Sequence, residues 1–80
     1  MLDVTMLMAF SDYLIIDALR LLGDDQLLTY MDIAQAVRTP CSVSTVKRSI
    51  IRLERAGLIA RSGPGRPIGY RYAVLPPGEN

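Results

Sequence analysis

The residues best suited to chemistry form one run: Ser42-Val43-Ser44-Thr45, followed by Lys47, Arg48, Arg52 and Arg55. Small residues with hydroxyls come first and cations follow. On a helix, that order puts free N–H groups and the positive end of the helix dipole beside the small residues. The long cationic side chains then extend from the next turns. This is equipment for holding an anion that carries phosphates, and it makes or breaks no bond. The hydroxyls can meet phosphate or base edges, and Val43 or the Thr45 methyl can pack on thymine methyls. Lys47 and Arg48, one turn in, can reach base edges or backbone, and arginine offers the bidentate guanine contact. Arg52 and Arg55 lie farther from the tip, where phosphate is their expected target. Ser44 and Thr45 also read as first-turn residues with capping value, Thr45 facing inward.

Catalytic chemistry finds little to work with. The chain has no histidine, so Ser/His and Cys/His nucleophile pairs cannot be assembled. One cysteine, Cys41, excludes the usual zinc sites and an intrachain disulfide. It reads as a small buried hydrophobe, with an exposed low-pKa thiolate the lesser alternative. The acids are expected in surface turns and on helix faces. "GPGRPIG" lacks the strand-to-helix setting and the lysine of a phosphate loop. The expectation is no enzyme, no metal and no cofactor, and no small-molecule pocket is legible in so short a chain.

Eighty residues, half of them apolar, make one domain whose marginal core gains from a partner subunit. Met6 to Leu22 is the most apolar stretch, but Asp12, Asp17 and Arg20 interrupt it and it is too short to span a bilayer. The start lacks the basic residues of a signal peptide, so a cytoplasmic protein without a membrane partner is expected. The net charge is only +1, yet it is unevenly spread. Residues 1–25 hold one cation against five acids, a net of −4, and residues 26–80 hold eight cations against three acids, a net of +5. A polyanion partner is thus expected for the later part alone.

Spacing assigns the elements that must position the basic run. A helix is expected from about Asp3 to Leu22, stopped by Gly23, with Ile15, Leu19 and Leu22 on its buried face. Ser11-Asp12 could cap a fresh helix within it. Leu7, Phe10, Leu14 and Leu21 form a second apolar stripe. Leu27-Leu28-Thr29 reads as a brief strand, and Met31 to Val37 as a short helix with Ile33 and Val37 as its core pair, ended by Thr39-Pro40. The basic helix is capped by Ser42, docks through Val46, Ile50 and Leu53, and stops at Gly57. Ile51 lies off that stripe, with packing against the following hairpin as its available place. Leu58 to Arg61 and Tyr70 to Val74 read as strands around the turn-rich loop Ser62 to Gly69, with Tyr70 and Tyr72 on one strand face.

Taken in order, "IAQAV", "CSVSTVKRSIIRLERAGLI" and "RSGPGRPIGYRYAV" resemble the winged helix-turn-helix family of bacterial and phage transcription regulators. The resemblance covers roughly Leu14 to Leu75. It implies a mainly α fold with a small antiparallel β-hairpin and an N-terminal helical extension. It also implies double-stranded DNA as partner, with the basic helix in the major groove and the hairpin, the wing, at the minor groove. Gly65-Arg66-Pro67 is similar to the core of AT-hook peptides, with Pro64 where those carry another arginine. The site residues expected are Ser42, Val43, Ser44, Thr45, Lys47, Arg48, Arg52, Arg66 and Arg71.

The expected layout is a single domain over 1–75, with an N-terminal helix over 1–22, a recognition helix over 42–57 and a hairpin over 58–75. A flexible tail over 76–80 follows. The surplus stripe of Leu7, Phe10, Leu14 and Leu21 is the expected surface of a homodimer, because two half-sites multiply the limited specificity of one module. Two other functions remain open: a protein–protein interaction module on the same fold, and an accessory role in DNA replication or processing.

Overall fold

The computed structural model describes residues 9–76. Helices α1 (Phe10–Leu22), α2 (Tyr30–Ala36) and α3 (Val43–Arg55) precede strands β1 (Ile59–Gly65) and β2 (Gly69–Val74). The two strands pair antiparallel, so the chain is mainly α with a small β part. No helix among the described residues is long and apolar enough to cross a membrane.

Helix α1 starts close to the internal cap expected at Ser11-Asp12. Ala9 is extended, and its N–H donates to the Asp12 carboxylate at 3.1 Å. The Asp12 N–H donates back to the Ala9 carbonyl at 2.9 Å. The part of the expected helix before Ala9, Leu7 included, lies outside the described residues. Gly23, with φ of 86°, ends α1 as its position predicts. Thr29 and Asp32 close a capping box at the start of α2. That helix ends at Ala36, short of the proline, and Val37 is extended and half-buried.

The core gathers where the three helices and the hairpin meet. Ile15 and Leu19 of α1, Ile33 of α2, and Val46, Ile50 and Leu53 of α3 pack with Ile59 and Tyr72 of the hairpin. Each such side chain contributes roughly 1.5–3 kcal/mol by leaving water. The expected docking stripe of α3 is therefore the real one. Leu22 is only half-buried, and Ala18 is buried in the same face of α1.

Two expectations need correction at the α1–α3 contact. Asp12 is no surface acid, being 1% exposed. Arg52 is no free phosphate contact: its Nη2 donates to Asp12 Oδ1 at 2.7 Å and its Nε to Asp12 Oδ2 at 3.3 Å. Nη2 also reaches the buried Ser49 Oγ at 3.2 Å, and Ser49 Oγ lies 3.3 Å from Ser11 Oγ. A carboxylate can enter this contact only because a guanidinium and a backbone N–H replace its water. Charge counting placed Asp12 and Arg52 in separate halves of the chain and missed that they belong to each other.

Burial by itself would raise the Asp12 pKa. The hydrogen bonds from Arg52, Ser49 and the Ala9 N–H outweigh it, and the net value falls below the ordinary 3.8. A depressed carboxylate stabilises the fold fully above its unfolded value and loses that contribution as pH falls through the folded value. Asp12→Asn should lower unfolding free energy by about 2 kcal/mol near pH 7, less than for a fully buried pair because Arg52 is half-exposed. Urea titrations should show the gap narrowing as pH falls below the ordinary carboxylate value and through the depressed folded one. A gap that is constant with pH would remove the ion pair from the account.

Candidate nucleic-acid interface

Ser42 caps α3 as expected. Its Oγ accepts from the Thr45 N–H at 3.1 Å and lies 3.0 Å from Thr45 Oγ1. The two hydroxyls thus occupy each other, and both residues act on the helix start. With Val46, Ser49, Ile50 and Leu53 buried, helical spacing puts Ser44, Arg48, Ile51 and Arg55 in one row on the opposite face. Ser44, Arg48 and Arg55 are exposed and Ile51 is half-buried. Ile51 is therefore part of the outward row, between two arginines. Lys47 flanks the row and is also exposed. The ion pairs among the described residues take Arg52 and Arg61, leaving Lys47, Arg48 and Arg55 outside any pair.

The hairpin is longer than its spacing suggested. Strand β1 runs to Gly65, past an irregularity between Ser62 and Gly65, and the turn shrinks to residues 66–68. The Arg66–Pro67 peptide is cis. Arg66, Pro67 and Ile68 are all exposed at the tip. A third backbone segment steadies this tip. Leu28 bridges to Tyr70, its N–H donating to the Tyr70 carbonyl at 2.8 Å and its carbonyl accepting from the Tyr70 N–H at 3.0 Å. The brief strand expected at Leu27-Leu28-Thr29 is this single bridge. The close approach demands Gly69: its φ is 123°, and a Cβ there would stand 2.7 Å from the Leu28 carbonyl oxygen.

The base of the hairpin is held by Arg61, which charge counting treated as one more free cation. Its Nη1 donates to Tyr30 Oη at 2.8 Å and its Nε to Glu54 Oε1 at 3.1 Å, and its guanidinium carbon lies 4.4 Å from the Tyr70 ring centroid. Burial works against the charged guanidinium, but Tyr30 and Glu54 prevail and hold its pKa above the ordinary value. Tyr70 and Tyr72 share a strand face as expected, their rings edge-on with centroids 6.1 Å apart. Burial pushes the Tyr72 phenol up to about 12; Arg61 pulls the other way but forms no hydrogen bond with it by distance and angle.

These anchors bring the first turn of α3 and the hairpin tip together. Between them lies a groove of about 320 Å³, whose lining includes Val43, Ser44 and Lys47 from α3 and Arg66 and Pro67 from the tip. No aspartate or glutamate lines it. Arg71 does not join this group. It is exposed on β2 and lines a separate hollow together with Asp24. Cys41 is half-buried against the core. No cluster among the described residues has the acids, histidines or cysteines to hold a metal. Comparison with known proteins finds no family model, no characterised protein and no solved structure that matches the chain.

Placement of the tip depends on Gly69, and two substitutions separate strain from collision. Gly57→Ala meets open space, so only its φ of 76° is unfavourable, at about 1 kcal/mol. Gly69→Ala adds a clash with backbone and should lower stability by more than about 2 kcal/mol, roughly 10 °C or more in Tm. Calorimetry on both variants checks the order; equal losses would mean that the Leu28–Tyr70 bridge is not a close constraint.

Proposed function

We propose that this chain is a winged helix-turn-helix domain that binds double-stranded DNA sequence-specifically, as a transcription regulator. The observation that carries the reading is the meeting of Lys47 and Arg66 across one groove without acids, beside the outward row of Ser44, Arg48 and Arg55. Cations outside any ion pair on an exposed helix face suit phosphate and base edges. Val43, Ser44, Lys47 and Arg48 take the major groove, with Ile51 available for a thymine methyl. Arg55 contacts phosphate. Arg66 enters the adjacent minor groove, where narrow A·T-rich sequence attracts arginine. Arg52 and Arg71 leave the contact set, the first for Asp12 and the second for its place beside Asp24.

The domain acts as a homodimer through α1. Phe10 and Leu21 are 71% and 79% exposed, and Leu14 lies between them on the same face. Covering such side chains contributes roughly 1.5–3 kcal/mol each. A two-fold axis there sets paired α3 helices one DNA turn apart, ~34 Å.

Selection of bound duplexes from a random pool tests the reading, with an enriched palindrome expected. On the selected site Arg48→Ala should weaken binding by about 1–3 kcal/mol and relax preference at one base pair. Arg55→Ala should weaken all sequences alike, and Arg66→Ala should act most on sites with A·T-rich flanks. Affinity for any duplex should fall steeply with salt. No retardation of duplex DNA at low salt would overturn DNA binding in favour of a protein-interaction module.

The dimer has its own test. Wild-type protein should sediment as a dimer at micromolar concentration, and Phe10→Asp/Leu21→Asp as a folded monomer. A folded wild-type monomer would sink the dimer.

A further inference from the structure

The hairpin tip carries a large apolar side chain that the fold does not use. The others between residues 59 and 74 are Ile59, Tyr70, Tyr72 and Val74, and all four belong to the core or pack against it. Ile68 is in neither group and is 59% exposed. Its neighbours Arg66, Pro67 and Gly69 line the groove facing α3, and Ile68 does not. Turn tips ordinarily carry Gly, Pro, Asn, Asp or Ser, so a β-branched aliphatic is out of pattern here. A single exposed aliphatic is common on protein surfaces; what marks this one is its setting. It stands two residues from Arg66, which is exposed and outside the ion pairs among the described residues. Residues 58–78 hold three arginines and no acid, so the surroundings of the tip suit a polyanion. The tip is also firmly mounted. Gly65 pairs with Gly69 at its base, and the Leu28–Tyr70 hydrogen bonds clamp the residue that follows.

We propose that Ile68 is a wedge that enters the minor groove of DNA beside Arg66, inserts between two base pairs and bends the duplex. This rests on the DNA-binding reading and adds to it a specificity-determining residue that makes no hydrogen bond. Aliphatic side chains inserted from the minor groove partly unstack a base step, and the duplex kinks toward its major groove, the side that α3 occupies. Pyrimidine–purine steps such as TA open at least cost, whereas runs of adenine are stiff. Arg66 alone favours the narrow minor groove of an adenine run. Ile68 moves the preference to a TA step of the same base composition. A lipid surface fits less well, because one aliphatic and one arginine bury too little to hold a protein there.

The test uses the full-length chain and the duplex enriched from the random pool, its flank set to TATA or AAAA with 2-aminopurine at the flanking step. Wild type should raise the 2-aminopurine fluorescence of the TATA duplex and bend it by roughly 20–90°, read by energy transfer between end labels. It should bind the TATA duplex about fivefold more tightly than the AAAA one. Ile68→Ala should abolish the fluorescence rise and the bend and reverse the flank preference. Its binding should keep the same salt dependence, since no charge is lost. Ile68→Leu should retain all three signals, and both variants should melt with wild type because Ile68 lies outside the core. Tight binding by wild type without unstacking or bending would overturn the wedge and leave DNA binding standing. No binding to any duplex would overturn both. Equal flank preference in wild type and Ile68→Ala would remove Ile68 from specificity. Flotation with phosphatidylserine vesicles that depends on Ile68, with no unstacking of DNA, would overturn the wedge in favour of a lipid surface.

Discussion

Two backbone hydrogen bonds between Leu28 and Tyr70 are the constraint on which the rest of the molecule depends. A two-stranded hairpin is marginal by itself in water. Here its second strand is clamped to the segment between α1 and α2, and the clamp closes only because Gly69 has no side chain to keep the chains apart. Once closed, it fixes the tip relative to α2, and α2 packs on α3. The placement of Arg66 across the groove from Lys47 is therefore an outcome of this backbone geometry.

A second constraint sets the roll of α3. Apolar packing through Val46, Ile50 and Leu53 is tolerant of small rotations, whereas the paired oxygens of Asp12 and the fork of Arg52 are directional. With Ser49 and Ser11 drawn into the same contact, α3 has one favoured orientation on α1. Glu54 and Arg61 add a tie between the end of α3 and the hairpin. Polar contacts at both sides of an apolar stripe thus decide which residues of α3 face outward.

Much of this was legible in the sequence. Ser42, Gly57 and the spacing of Val46, Ile50 and Leu53 mark α3, because caps and periodicity are local signals. The alternation of Tyr70, Tyr72 and Val74 marks β2 for the same reason. What escaped is non-local. Asp12 and Arg52 lie 40 residues apart, so nothing near either reveals the pair. Arg61 resembles any strand-end arginine until Tyr30, Glu54 and Tyr70 surround it. The groove arises where residues from α2, α3 and the hairpin converge, and no single segment carries its pattern. The extension of β1 to Gly65 was hidden by Gly and Pro residues that usually mark loops.

The irregular pairing between Ser62 and Gly65 has a consequence for how this domain could diversify. Regular pairing from Ile59 to Ser62 and the anchors of Arg61 lie on the core side of the irregularity, and the exposed turn lies beyond it. Residues 66–68 can therefore change in sequence, or grow by insertion, without shifting the register that the core reads. Relatives of this chain would be expected to share the hairpin base and differ at its tip, changing what they contact while keeping the same packed interior.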